Sequence, residues 1–233
     1  MFNKIRIKLI DANKVKKYFL YAIGEIVLVV IGILIALQIN AVNDEKKKRI
    51  KEATLLKELH KDFLKNKNQF DKVKIDHVNA FKAAQNMMKY LPTNNDNKRM
   101  LKVGELLSAS VRVPTFNPSN STVESIINSS SFNVIQNDTL RAYLISWKDV
   151  LLDYQEEENN AFKFIQTQLK PYFVENSDMI ERGNKMNITM VSSVKFQNLM
   201  TLNLLHQMYI VNAIKNEPIE KTLTEIIRLT KLK

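Results

Sequence analysis

The clearest pattern along the chain is an apolar run at residues 18–40, which reads YFLYAIGEIVLVVIGILIALQIN. Of its first twenty residues, only Gly24, Glu25 and Gly32 fall outside the apolar and aromatic set. An α-helix needs roughly 20 such residues to cross the ~30 Å hydrocarbon core of a bilayer. The run therefore predicts a transmembrane helix over residues 18–40 that anchors the rest of the chain.

Small and polar side chains recur on one face of this predicted helix. Glu25, Gly32, Ala36 and Asn40 follow one another at spacings of seven, four and four. Small residues let two membrane helices approach closely, and the acid and the amide can hydrogen-bond across such a contact. We hypothesise that this face contacts a second copy of the chain or the helix of a partner membrane protein. In the alternative, the Glu25 side chain only extends toward the lysines at the headgroups.

After Asn40 the pattern changes to apolar or small residues at alternating spacings of three and four, from Leu56 to Leu91. This heptad pattern predicts that the transmembrane helix continues into a long, coiled-coil-like helix, which ends before Pro92. Asn66 and His77 are polar at seam positions, and such residues usually fix coiled-coil register. For His77, a hydrogen-bonded seam residue is favoured over a ligand or a pH sensor.

The rest of the chain predicts shorter helices that complete a bundle over residues 41–233. A short helix over 100–108 is followed by an extended segment at 111–121 that contains two prolines. Ser121 and Glu124 predict a capping box, and Asp138 predicts the cap of a long helix. Pro171 is expected to kink or end that helix. Two further helices are predicted at 191–215 and from Pro218 onward.

Composition supports an all-α fold. The 233 residues include only 4 Gly and 5 Pro, which favours long helices over a sheet with many turns. The absence of cysteine excludes disulfides, thiolate metal sites and cysteine nucleophiles. The predicted fold class is therefore an N-terminal transmembrane helix that continues into a long helix and a helical bundle.

Positive charge is concentrated near the predicted anchor. The formal net charge is +11, and residues 1–52 hold 11 Lys and Arg against 5 Asp and Glu. A basic belt beside a bilayer attracts anionic headgroups with about 1 kcal/mol per cation. The lipid bilayer is therefore the expected partner, in preference to nucleic acid.

The flanking charges give only a weak indication of orientation. Six Lys and Arg precede the apolar run and six follow it within about 17 residues, so the positive-inside rule gives a tie. Lys14, Lys16 and Lys17 lie directly beside the run, which favours a cytoplasmic N-terminus and a C-terminal domain on the periplasmic side of a bacterial inner membrane. Residues 1–17 then form a basic tail or an interfacial helix. A cleaved signal peptide fits less well, because the run is long and residues 38–41 make a poor cleavage site.

Catalytic and cofactor motifs are not recognised in the sequence. It contains no P-loop, no GxGxxG and no HExxH, and no Gly-x-Ser-x-Gly elbow surrounds the serines at 129–131. Glu156, Glu157 and Glu158 are consecutive, so they point in different directions on a helix and predict a solvated face rather than a metal site. We therefore expect no enzymatic activity, no metal and no cofactor.

Two stretches resemble a known family. The anchor YAIGEIVLVVIGILIALQIN, with a basic tail before it and a charged helix after it, resembles the N-terminal signature of a domain-of-unknown-function family of bacterial single-pass membrane proteins. A later stretch resembles an internal segment of the same family, although Ser131 stands where a Gly is expected; its matching residues are Ser129, Ser130, Phe132, Asn133, Ile135, Asn137, Leu140 and Arg141. The resemblance implies an N-terminal anchor and a helical domain on one side of the membrane, and it implies no activity.

These patterns together favour a structural or regulatory interaction module of the cell envelope. The alternative is a sensory module that binds a ligand and signals through a partner helix. A further alternative is a cytoplasmic domain that contacts nucleic acid or anionic lipid.

Overall fold

The computed structural model describes residues 12–94, 96–181 and 183–232, and these residues contain helices and no strand. A long apolar N-terminal helix is followed by a helical bundle, so the predicted fold class is confirmed. The chain divides into two compact units, Met1–Ala53 and Thr54–Lys233. Most of the predicted basic tail, residues 1–11, lies outside the described residues.

The helices follow one another with short connections. Their bounds are α1 (Ala12–Met88), α2 (Asn97–Ser110), α3 (Ser121–Ile127), a 3-10 turn (Ser130–Val134), α4 (Asp138–Phe164), a π turn (Ile165–Leu169), α5 (Lys170–Asn176), α6 (Lys185–Ser192), α7 (Val194–Asn216) and α8 (Ile219–Thr230).

In the first unit, α1 is a helix whose described side chains from Lys16 to Ile50 are all exposed. The apolar residues of the predicted span contact no core in this unit, and Leu28, for example, is 71% exposed. Beyond the span, ion pairs such as Asp44 with Lys47 and Glu45 with Arg49 join successive turns. The helix therefore has a largely apolar segment at residues 18–40, followed by a charged segment.

Two helix starts differ from the predictions. Asn137, and not Asp138, caps α4, because its side chain accepts a hydrogen bond from the backbone N–H of Leu140 at 2.9 Å. The predicted capping box at Ser121 and Glu124 does not form, since α3 begins at Ser121 and its N-cap position is Asn120. The Asn120 side chain instead accepts a hydrogen bond from the indole N–H of Trp147 at 2.8 Å.

Two later predictions also need correction. Pro171 does not end the helical path, which runs through a π turn at Ile165–Leu169 into α5. Whether the path is kinked there stays a prediction. Proline has no N–H to donate and clashes with the carbonyl four residues earlier, and the wider π turn accommodates both effects. The helix predicted at 191–215 breaks at Ser193, whose hydroxyl accepts a hydrogen bond from the N–H of Phe196 and caps α7.

The second unit has two apolar clusters. The first joins α1, α3, α4, α7 and α8, and its largest buried side chains include Phe63, Phe70, Phe116, Trp147 and Tyr154. The second cluster joins α1, α2 and the helices from the π turn to α7, and it includes Met87, Val103, Leu169, Phe196 and Met200.

Residues 111–120, which we call the strap, connect α2 to α3 without forming a helix. Phe116 at its centre is fully buried, and its ring lies 5.3 Å from that of Phe70 and 6.1 Å from that of Tyr154. The Asn66 amide pairs with the backbone of Ser119 in both directions, at 3.0 and 2.9 Å. Phe116 thus anchors the strap to the core, while Arg112, Thr115, Asn117 and Ser119 are exposed.

We predict that Phe116→Ala lowers the free energy of unfolding by about 3–5 kcal/mol, because it empties an aromatic site in the core. Urea unfolding of the full chain in mild detergent, followed by the fluorescence of Trp147, measures this loss; the sequence has one tryptophan. The matched control is Asn117→Ala at the exposed neighbouring position, with an expected change within about 0.5 kcal/mol. Equal losses in the two variants would contradict the role of Phe116.

Candidate functional site

A layer of buried polar side chains lies between the two apolar clusters. In α1, His77 falls between Val73 of the first cluster and Met87 of the second. In α4, Glu158 falls between Tyr154 and Phe164, and in α7 the residues Asn203 and Gln207 fall between Met200 and Ile210. All four polar residues are 1% exposed or less. Three helices thus place polar groups at the same level of the bundle.

Glu158 is the centre of this layer. Its Oε1 lies 2.9 Å from Nε2 of His77 and accepts a hydrogen bond from the Tyr154 hydroxyl at 2.7 Å. Its Oε2 accepts a hydrogen bond from the backbone N–H of Phe116 at 2.8 Å. A buried carboxylate requires partners of this kind, because an unpaired one costs several kcal/mol. Glu158 therefore joins α1, α4 and the strap.

The tautomer of His77 follows from its surroundings. Nδ1 of His77 is buried and has no hydrogen-bond partner among the described atoms. A proton on Nδ1 would be an unpaired donor in the core, so Nε2 is the ring nitrogen placed to donate. That N–H then donates to the Glu158 carboxylate.

Tyr154 remains a hydrogen-bond donor in this network. Burial, together with the neighbouring Glu158 charge and hydrogen bond, raises the pKa of the Tyr154 hydroxyl far above its ordinary value. Its ring also contacts Phe70 with centroids 5.5 Å apart. Tyr154 therefore links the aromatic cluster to the polar layer without becoming charged.

Further polar side chains satisfy backbone carbonyls of the strap and of Ser110, the residue directly before it. Asn203 donates to the carbonyl of Ser110 at 2.8 Å, and Gln207 donates to the carbonyl of Arg112 at 3.0 Å. Gln155 donates to the carbonyl of Phe116 at 2.7 Å. Because the strap is not helical, it cannot pair its own N–H and C=O groups, and the helices supply the partners.

The two predicted seam residues belong to this arrangement. His77 is hydrogen-bonded and buried, as the favoured interpretation of the sequence expected. Asn66 binds the strap backbone. Whether Asn66 and His77 also fix coiled-coil register stays a prediction.

Glu158 was missed in the sequence, and the predicted solvated face at residues 156–158 is wrong for it. Glu156 is exposed and Glu157 is half-buried, whereas Glu158 is 1% exposed. A usable signal was present: Glu158 follows Leu151 by seven residues and Tyr154 by four, so it continues the apolar stripe of α4. An acid in register with a buried stripe predicts a buried acid with partners.

A hollow of about 460 Å³ opens on the surface where α5, α6 and the start of α7 meet. We call it the basic hollow, and its lining residues are Tyr172, Asn176, Lys185, Met186, Thr189, Met190, Ser193 and Lys195. The Tyr172 hydroxyl hydrogen-bonds the Ser193 hydroxyl at 2.8 Å, and Nζ of Lys195 lies 5.2 Å from the centre of the Tyr172 ring. Hydroxyl, amide and ammonium groups thus surround an apolar floor.

A second hollow, of about 430 Å³, lies between α4, the π turn and α7. Glu157, Lys163 and His206 are among its lining residues, so it carries both signs of charge. Burial lowers the pKa of His206, whose ring lies 4.8 Å from that of Phe164. In the described parts of the chain, no group of three or more His, Cys, Asp and Glu side chains is placed to hold a metal ion.

No family model, curated protein or solved structure matches this chain. The resemblance to a family of single-pass membrane proteins therefore stays a prediction. What the chain can bind or do has to be argued from its own residues.

The predicted membrane-helix contact residues lie in the first unit. Glu25, Gly32, Ala36 and Asn40 are all exposed on α1, and the helical backbone places them on one face. A Cβ atom built at Gly32 would meet no atom within 4 Å, so the described fold does not itself require glycine there. α1 is also the one helix among the described residues that is long and apolar enough to cross a membrane.

We predict that Glu158→Gln lowers the free energy of unfolding by about 1–3 kcal/mol. The amide replaces one acceptor oxygen by an NH₂ group, which must face the Phe116 N–H or the donors of Tyr154 and His77. Glu156→Gln, at an exposed position in the same helix, is the control and is expected to change stability by no more than about 0.5 kcal/mol. Urea unfolding measures both, and an unchanged Glu158→Gln variant would contradict the network.

Proposed function

We propose that this protein is a single-pass membrane protein of a bacterial inner membrane, in which residues 18–40 span the bilayer and the helical unit acts as an interaction module of the cell envelope. The supporting observation is the exposure of every side chain from residue 18 to residue 40. Leaving a large apolar side chain in water forgoes about 1.5–3 kcal/mol for each residue. An apolar run of this length has to be removed from water, and its length and composition fit the hydrocarbon core of a bilayer.

The cytoplasmic side is proposed for the N-terminus. Lys14, Lys16 and Lys17 lie directly before the apolar run, whereas the next cluster begins at Lys46. Basic residues close to a membrane helix stay on the cytoplasmic side. The helical unit is then periplasmic, and the cations of both flanks contact anionic headgroups.

We predict that alkaline carbonate leaves the intact chain in the membrane pellet. The paired change Val29→Arg and Ile33→Arg is expected to shift it to the supernatant, because each arginine at the helix centre costs about 2.5–3.5 kcal/mol on insertion. Ile145→Arg and Leu152→Arg, at exposed positions of α4, form the control and should leave the chain in the pellet. Extraction of the unmodified, unprocessed chain by carbonate would overturn the anchor.

Orientation has a separate measurement. Alkaline phosphatase fused after Lys233 is active only in the periplasm, so activity is the expected result. An inactive fusion that is still membrane-bound would place the helical unit in the cytoplasm and reverse the proposed topology without affecting the anchor.

The anchor is proposed to associate through the face that carries Glu25, Gly32, Ala36 and Asn40. A carboxylate at Glu25 lies about 10 Å into the apolar run, where it is costly unless protonated, paired or extended to the interface. A second helix that contacts this face would supply a hydrogen-bonding partner for the Glu25 carboxylate. The small Gly32 would let the two helices approach closely.

We predict that Glu25→Leu with Gly32→Leu abolishes self-association in a membrane two-hybrid assay. The control is Gly24→Leu with Gln38→Leu, which replaces a glycine and an uncharged polar side chain on another face of the helix and should retain the signal. Equal signals from the two double variants would contradict association through this face.

A second candidate function, a ligand-binding module that signals through a partner, is favoured by one observation. The basic hollow combines two ammonium groups with an apolar floor, which is a composition suited to a ligand.

A further inference from the structure

We propose that the basic hollow binds a small, soluble organic anion that carries an apolar group, such as an aryl phosphate or an aryl carboxylate. This inference rests on the ligand-binding candidate above and is independent of the membrane anchor. The hollow lies wholly within the second unit, between α5, α6 and the beginning of α7.

Charge selects an anion. Lys185 and Lys195 both line the hollow, and the lining includes no carboxylate. Neither ammonium forms an ion pair with a described carboxylate, in contrast to Lys67 and Lys74, which pair with Glu220. Two cations among the lining residues and no anion favour a negatively charged ligand over a positively charged one.

One of these cations and one hydroxyl are held in place. Nζ of Lys195 lies 5.2 Å from the Tyr172 ring centre, so a cation–π contact restrains it. The Tyr172 hydroxyl is fixed by its 2.8 Å hydrogen bond to the Ser193 hydroxyl. Groups that are already ordered lose less entropy when a ligand binds.

The floor selects an apolar group beside the anion. Met186 and Met190 line the hollow together with the Tyr172 ring, and methionine packs well against irregular and aromatic shapes. The volume of about 460 Å³ lies in the range of pockets that hold small organic ligands. Tyr172 and Met190 are themselves buried, so the exposed side chain of Met186 supplies most of the apolar surface that a ligand would cover and an inorganic anion would not.

The test is calorimetric titration of the full chain in nanodiscs of phosphatidylcholine, with phenyl phosphate as probe and inorganic phosphate as comparison. We expect one saturable site for phenyl phosphate and at least tenfold weaker binding of inorganic phosphate. Lys185→Gln with Lys195→Gln is expected to weaken phenyl phosphate binding at least tenfold. Both lysines are exposed, and unchanged Trp147 fluorescence checks that the variant is folded.

The control removes the same charge elsewhere. Lys61→Gln with Lys65→Gln changes two exposed lysines one turn apart on α1 and should leave the affinity unchanged. Absence of saturable binding, equal affinity for the two phosphates, or equal weakening in the two double variants would each overturn the proposal.

A lipid headgroup is the other source of such an anion. Replacing a third of the phosphatidylcholine by phosphatidylglycerol leaves phenyl phosphate affinity unchanged if the ligand is soluble. Because an anionic bilayer also repels phenyl phosphate, the comparison is made at a salt concentration that screens the surface charge. A loss of affinity that persists there would assign the hollow to headgroups and overturn the soluble ligand. Carbonate extraction reports the anchor separately, so failure of one proposal is distinguishable from failure of the other.

Discussion

The second unit depends on one buried carboxylate, Glu158, and on the three donors that surround it. His77 comes from α1, Tyr154 from α4 and the N–H of Phe116 from the strap. Oε2 has one donor, the N–H of Phe116, and Oε1 has two, so losing any donor weakens the pairing of a carboxylate that has little access to water. The carboxylate thus requires that three separate segments meet at one point, which a purely apolar contact would not demand.

This requirement explains why the bundle tolerates a non-helical segment in its core. The buried backbone groups of the strap need partners, and the side chains of Asn66, Gln155 and Gln207 provide several of them. Asn203 binds the carbonyl of Ser110, directly before the strap. These side chains recognise the backbone, whereas Phe116 supplies the apolar contact. Several polar residues at buried positions of the helices are therefore explained by the strap, whose backbone groups they bind.

Partners that lie far apart in the chain also explain which features the sequence could predict and which it could not. The apolar run, the all-α class and the long first helix depend on periodicity and composition, which are local. The role of Asn66 depends on Ser119, 53 residues later, and that of His77 depends on Glu158, 81 residues later. The misplaced cap at Ser121 has the same origin, because Trp147 engages the Asn120 side chain. Side-chain partners distant in sequence are set by packing, which no local pattern contains.

The basic hollow could not be predicted from the sequence for a related reason. Its lining combines residues from 172 to 195 that belong to α5, α6 and α7, and the break at Ser193 decides where Lys195 lies. With one uninterrupted helix, as the pattern predicted, Ser193 would not adopt its extended backbone or cap α7, and its hydroxyl would not be fixed beside Tyr172. The error of one helix break therefore conceals a surface where cationic groups and methionine side chains converge. A helix cap can in this way create a candidate binding surface as well as end a helix.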